Sequence, residues 1–242
     1  MKRLILISMA LTATLTANAQ WFGNEKVKGN GNVQTLERNT SNYAEVDVAG
    51  FFDVELVAGN EGKITISAEE NLIPHIVTEV RGSKLVIKTE EGYDLRPSHN
   101  KEILITVPFE SLDAVSLTGS GDIVTKNTIK TDQFEANLTG SGDLQVIVEA
   151  NSVESDLTGS GDISLSGKTT DFECAISGSG DIHAKELKAT NVDASISGSG
   201  DIDVYCDGFL KARVSGSGDV DYYGSPEKED SKVSGSGDIS RG

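Results

Sequence analysis

Beyond residue 112 the apolar residues fall on alternate positions, and the alternation restarts seven times, each time ending at a Gly-Ser-Gly-Asp. Five residues before the aspartate stand Leu117, Leu138, Leu157, Ile176, Ile196, Val214 and Val233. One residue after it stand Ile123, Leu144, Ile163, Ile182, Ile202, Val220 and Ile239. From the second copy the ninth position upstream reads Phe134, Val153, Phe172, Val192, Leu210, and the seventh Ala136, Ser155, Cys174, Ala194, Ala212. Period two marks a β-strand with one buried face, small at its seventh position. The two glycines then stand where an inward bend would leave no room for a side chain. A second short strand follows each aspartate. Beyond it the copies diverge, as in Lys126 to Gln133 against Cys206 to Gly208, and loops are expected there.

The aspartates are Asp122, Asp143, Asp162, Asp181, Asp201, Asp219 and Asp238, at spacings of 21, 19, 19, 20, 18 and 19. A fixed period near twenty residues is the mark of a solenoid. One repeat cannot bury its apolar edge alone, whereas copies stacked in register about 4.8 Å apart form continuous inner ladders. The pattern therefore predicts an all-β, single-stranded parallel β-helix with coils of about nineteen residues. Its expected hand is right, the hand of β-crossovers. An up-and-down antiparallel barrel of hairpins centred on Gly-Ser-Gly is the alternative, less suited to near-identical copies.

Taken in order, residues 1–19 read as a signal peptide: Lys2 and Arg3, an apolar run from Leu4 to Leu15, and the cleavage signal Ala17-Asn18-Ala19. Residues 20–42, with Gly29-Asn30-Gly31-Asn32, read as a flexible leader. Residues 43–110 show alternation without the aspartate repeat and predict irregular first coils. Val77 to Lys88 reads as a hairpin around Arg81-Gly82-Ser83, and Glu69 to His75, containing Pro74, as a short helical turn. Residues 111–242 form the repeat β-helix, continuous with 43–110 as one domain. Its last coil is polar (Glu227 to Lys232) and has nothing after it to cover its edge, which predicts weak homo-oligomerisation through that C-terminal coil.

The formal charge is −17, and loss of Lys2 and Arg3 on cleavage takes it to about −19. Such a surface disfavours nucleic acid and anionic lipid. No stretch is apolar for long enough to span a bilayer as a helix. Export to the periplasm, outer-membrane surface or extracellular space is the expectation.

The candidate chemistry is sparse. A phosphate loop needs a helix after its glycines, and here a β-branched strand follows. Calcium is the sharper reading of the seven repeat aspartates, Asp122 to Asp238, because exported β-rolls bind it through Gly- and Asp-bearing turns. Those rolls carry two such turns per coil and this chain one, so a structural turn is preferred and no metal or other cofactor is expected. Catalysis by a β-helical polysaccharide-processing enzyme would need clustered carboxylates in a cleft, whereas these acids are periodic. His75, His99 and His183 have no metal-ligand spacing. A non-enzyme is expected. Cys174 fills a small inward slot as a buried thiol would, and its bonding to Cys206 stays open.

The combination Phe51-Phe52-Asp53-Val54-Glu55-Leu56, Glu70-Asn71-Leu72-Ile73-Pro74, Lys84-Leu85-Val86-Ile87 and Ile105-Thr106-Val107-Pro108, followed by serial Gly-Ser-Gly-Asp, resembles the putative auto-transporter adhesin, head GIN domain family of Gram-negative bacteria. The resemblance covers roughly residues 35 to 240. It implies an exported β-helix of the cell envelope and supplies no catalytic residue. The functional expectation is an adhesin-like module whose Thr/Ser/Asp ladders bind a surface glycan or protein. The alternative is a structural envelope protein without a small-molecule ligand.

Overall fold

The structure, a computed structural model, describes residues 24–242; the signal peptide read at 1–19 and the first residues of the leader lie outside the described residues. The chain is a parallel β-solenoid of coils of about nineteen residues. There is no α-helix among the described residues, and the one helical turn is 3-10, Ile73–His75.

The strands before the repeat are β1 (Glu25–Lys28), β2 (Val33–Asn39), β3 (Glu45–Gly50), β4 (Asp53–Ala58), β5 (Lys63–Glu69), β6 (Ile76–Arg81), β7 (Lys84–Thr89), β8 (Tyr93–Arg96) and β9 (Leu104–Phe109). The repeat opens with β10 (Ala114–Gly119) and β11 (Asp122–Thr125). From there each strand pairs in parallel with its counterpart one coil on. Leu117 lies beside Leu138, Leu138 beside Leu157, Leu157 beside Ile176 and Ile176 beside Ile196. These columns are buried, Leu157 at 1% and Ile176 at 2% exposure, while Thr158 between coils faces solvent. The seventh-position column is buried too, with Ser155 and Cys174 side by side in register.

The glycine bends have a direct steric cause. A Cβ on Gly140 would stand 2.1 Å from the carbonyl oxygen of Gly119, and one on Gly142 would stand 1.9 Å from that of Gly121. Gly140 also has φ of 135°, outside the range of L side chains. Each bend thus rests on the backbone of the bend below.

The structure departs from the sequence reading in three ways. First, β3 and β4 are a copy of the repeat with its signature erased: Gly50 pairs with Gly119 and Val54 with Ile123, which sets Asp53 beneath Asp122. Phe52 takes the place of the second glycine, and its ring is wholly buried. No glycine bend lies below it, so a side chain is admitted there and fills the space. Second, the described part of the leader contains paired strands: β1 pairs with β8, and β2 pairs antiparallel with β5. Third, two expected loops are strand, since Asp162–Gly178 and Ile182–Gly198 each run unbroken from one bend to the next.

The hairpin is present, with β6 antiparallel to β7 around Gly82-Ser83. Antiparallel pairing of β5 with β9 and of β2 with β5 ends the parallel stack. Arg38 reaches from β2 across this end: its guanidinium donates to the carbonyls of Ile73 (2.7 Å) and Ile76, and to the Thr78 hydroxyl at 3.1 Å. Those carbonyls lie in the 3-10 turn and at the start of β6, so the cation ties β2 to the point where the turn enters the sheet.

Candidate binding face

The seven repeat aspartates do stack. Asp122 pairs in register with Asp143, and Asp143 with Asp162. Their carboxylates are held by the next coil rather than by their own bends. The N–H of Asp143 donates to Oδ1 of Asp122 (3.1 Å), Asp181 to Asp162 (3.2 Å), Asp201 to Asp181 (2.8 Å), Asp219 to Asp201 (2.8 Å) and Asp238 to Asp219 (2.7 Å). The serine of each bend donates its N–H to a glycine carbonyl one coil back, as Ser141 does to Gly119 at 2.9 Å. Two residues later it is the carboxylate of the aspartate one coil back that accepts the N–H. Asp53 extends this column by one, and burial, then the charges of Asp122 and Glu102, raise its pKa. Sequence reasoning missed it because Phe51-Phe52 hides the glycine signature; the Asp-Val that follows was the available signal. Among the described residues no three His, Cys, Asp or Glu side chains converge as a metal ligand set.

The histidines are apart from one another. His75 contacts Glu90 (2.9 Å) and His183 contacts Asp203 (3.2 Å), both as surface pairs, and His99 is exposed. Cys174 and Cys206 are both free and buried. Burial, then the charges of Asp193, Glu173 and Asp156, push the Cys174 thiol far up, so it behaves as a small core residue.

The face with room for a ligand lies on the strands that precede the bends. Two outward columns line an open trough of about 560 Å³. One column is Thr158, Ser177, Ser197, Ser215 and Ser234; the other is Asp156, Ala175, Ser195, Arg213 and Lys232. The small side chains of Thr158, Ala175 and the serines keep the floor low, and Leu157, Ile176, Ile196 and Val214 line its base. Parallel register places all ten on one face.

Charge is unevenly spread along this face. Beside the trough Glu135, Glu154 and Glu173 stack on successive strands. Burial first, then the charges of Asp156, Glu135 and Glu173, raise the Glu154 pKa. Two coils further on cations enter: Lys211 contacts Asp193 at 2.6 Å and Arg213 contacts Asp230 at 2.5 Å. The hydroxyl rungs were legible as a periodic column. The change from Asp156 to Arg213 and Lys232 sits in the one column whose residues vary, and register is needed to see it.

Among solved structures, a putative adhesin from Bacteroides fragilis has a TM-score of 0.82 at 23% identity, covering 89% of this chain and 99% of that one. A putative lipid binding protein from Parabacteroides distasonis has 0.74 at 28%, covering 90% and 100%. A putative adhesin from the same species has 0.73 at 23%, covering 90% and 100%. No curated protein matches the chain. The model of the family described as putative auto-transporter adhesin, head GIN domain, matches residues 42–226. With a match over that much of its length, the chain belongs to this family.

Proposed function

We propose that the chain is an exported, non-catalytic binding module that takes a surface glycan or protein segment in the hydroxyl-lined trough between the Thr158 and Asp156 columns. The observation that carries this reading is the trough itself: an open concavity of about 560 Å³ floored by small residues and edged by Asp156, Arg213 and Lys232. Five hydroxyl rungs one strand spacing apart offer donors and acceptors to a ligand lying along the solenoid axis. The family name and the adhesin descriptions of its structural neighbours agree with a surface module. The repeat aspartates recur at fixed intervals and accept backbone N–H groups from the next coil, as Asp122 and Asp181 do, which supports a structural rather than an acid–base role for them.

No helix of the described residues is long and apolar enough to cross a membrane. The signal peptide read at residues 1–19 supports a working place in the periplasm, at the outer-membrane surface or outside the cell.

Glycan-array and calorimetric binding to residues 20–242, beside a Ser195→Trp variant that fills the trough, tests the reading. Saturable binding by the native chain, lost in a variant that melts at the same temperature, is the expected result. Silence across the array and against envelope proteins would instead support a structural envelope role. Flotation with vesicles tests the lipid description carried by the neighbour at 28% identity.

A further inference from the structure

We infer that two copies of this chain join at the N-terminal ends of their solenoids, edge to edge through β2. Among the described residues β2 pairs only with β5. Its neighbours in sequence settle which of its groups are used. The N–H of Glu70 donates to the Asn32 carbonyl and that of Thr40 to the Gly62 carbonyl, so the even-numbered residues address β5. The N–H and C=O groups of Val33, Thr35, Glu37 and Asn39 point away from the solenoid. A seven-residue edge strand whose outward polar groups have no partner among the described residues is a template for another strand.

The side chains favour a second copy as that strand. Val33 and Leu36 are each 43% exposed, two of the four large hydrophobics left so exposed among the described residues. Antiparallel pairing about a two-fold axis at Leu36 sets Thr35 opposite the partner's Glu37 and Val33 opposite the partner's Asn39. These are the residues with free backbone groups, so both strands are satisfied by one register. Leu36 meets its own copy in a non-hydrogen-bonded pair, where side chains approach most closely. No like charges stand directly opposite, and Lys63 already neutralises Glu37 at 3.1 Å.

The other end of the molecule is less suited. The strand Lys228–Gly235 is exposed throughout and carries Lys228, Glu229, Asp230 and Lys232, the kind of charged edge that resists pairing.

Sedimentation velocity on residues 20–242, up to about 1 mM, decides the matter. The expected result is a monomer–dimer equilibrium with a doubling of mass. Thr35→Pro removes an outward N–H without touching the β2–β5 ladder, and should give a monomer with the native melting temperature. Leu36→Lys, which keeps the backbone intact, should give the same result should the proline disturb the strand. Val233→Pro should leave the dimer in place. A monomer at every concentration overturns the inference, as does a dimer that survives both β2 variants or dissociates only in Val233→Pro. A monomer whose Val33, Thr35, Glu37 and Asn39 amides resist hydrogen exchange would overturn it too, because the edge would then be covered from within the chain.

Discussion

The backbone N–H of Asp201 donates to Oδ1 of Asp181 at 2.8 Å, across two coils of the solenoid. The same contact recurs up the column, so the signature aspartate is an acceptor for the coil above it. Charges about 4.8 Å apart repel by roughly 3.5 kcal/mol at an effective dielectric of 20, and by less than about 1 kcal/mol when fully solvated. An N–H dipole between successive carboxylates offsets part of that.

Asp181→Ala should destabilise by about 1 kcal/mol, because the Asp201 N–H loses its acceptor. Asp181→Asn, which keeps the oxygen and removes a charge, should be close to neutral in urea denaturation. With one oxygen of each carboxylate already engaged, calcium calorimetry should show no stoichiometric site. Several degrees of stabilisation by calcium would contradict the assignment.

Inward and outward positions one residue apart should differ sharply in how much the same change costs. Leu157→Asp places a charge in a dry column without a partner and should unfold the repeat region. Thr158→Asp faces solvent and should cost little. Comparable melting temperatures for the two variants would contradict the burial pattern.

Glycines should sort by what lies under them. Gly140→Ala drives a methyl into the Gly119 carbonyl oxygen at a φ of 135°, and no relaxation of the stacked backbone relieves it. Its loss should exceed the roughly 1–3 kcal/mol of ordinary backbone strain. Gly82→Ala, at φ 66° in the hairpin with open space around it, should cost only about 1 kcal/mol. Thermal melts of both variants make the comparison.

Glu154 and Glu69 should show opposite pH signatures. With the Glu154 pKa raised in the folded chain, the unfolded chain releases its proton first as pH rises through the ordinary glutamate value of about 4.3. Folding is penalised above that range. Glu154→Gln should therefore melt slightly higher than the native chain at neutral pH, with the gain gone below the ordinary carboxylate range.

Glu69 is 1% exposed. Burial works to raise its pKa, but hydrogen bonds from the Ser98 hydroxyl and N–H and from the Gly31 N–H, with the charge of Lys101, lower it overall. The Ser98 N–H stands 2.8 Å from Oε2. A lowered folded pKa adds stability above the ordinary value and loses it as pH falls through the folded one. Glu69→Gln should melt lower than the native chain at neutral pH and approach it in acid, as a pH series of melting curves would show.

The repeating part of the fold is legible in the spacing of residues alone. Period two with a glycine pair every nineteen or so residues admits few arrangements, because copies that cannot bury their own edge must bury each other's. Leu157, Ile176 and the other inward columns could be named from spacing alone, as could the outward hydroxyl rungs. The hairpin around Gly82-Ser83 was equally plain, since its signals are local.

Features that depend on neighbours in space emerge only from the folded chain. Phe51-Phe52 reads as an apolar pair, and only pairing of β3 with β10 shows it occupying a glycine bend with Asp53 in the ladder. The leader looked unstructured because its residues are polar, yet β5 offered β2 an open edge, and backbone hydrogen bonds need no apolar pattern. Likewise the donor to each aspartate comes from about nineteen residues downstream, and the charge change from Asp156 to Lys232 becomes one surface only after five coils have stacked. Periodicity along the chain specifies columns; which groups meet across them is set by register.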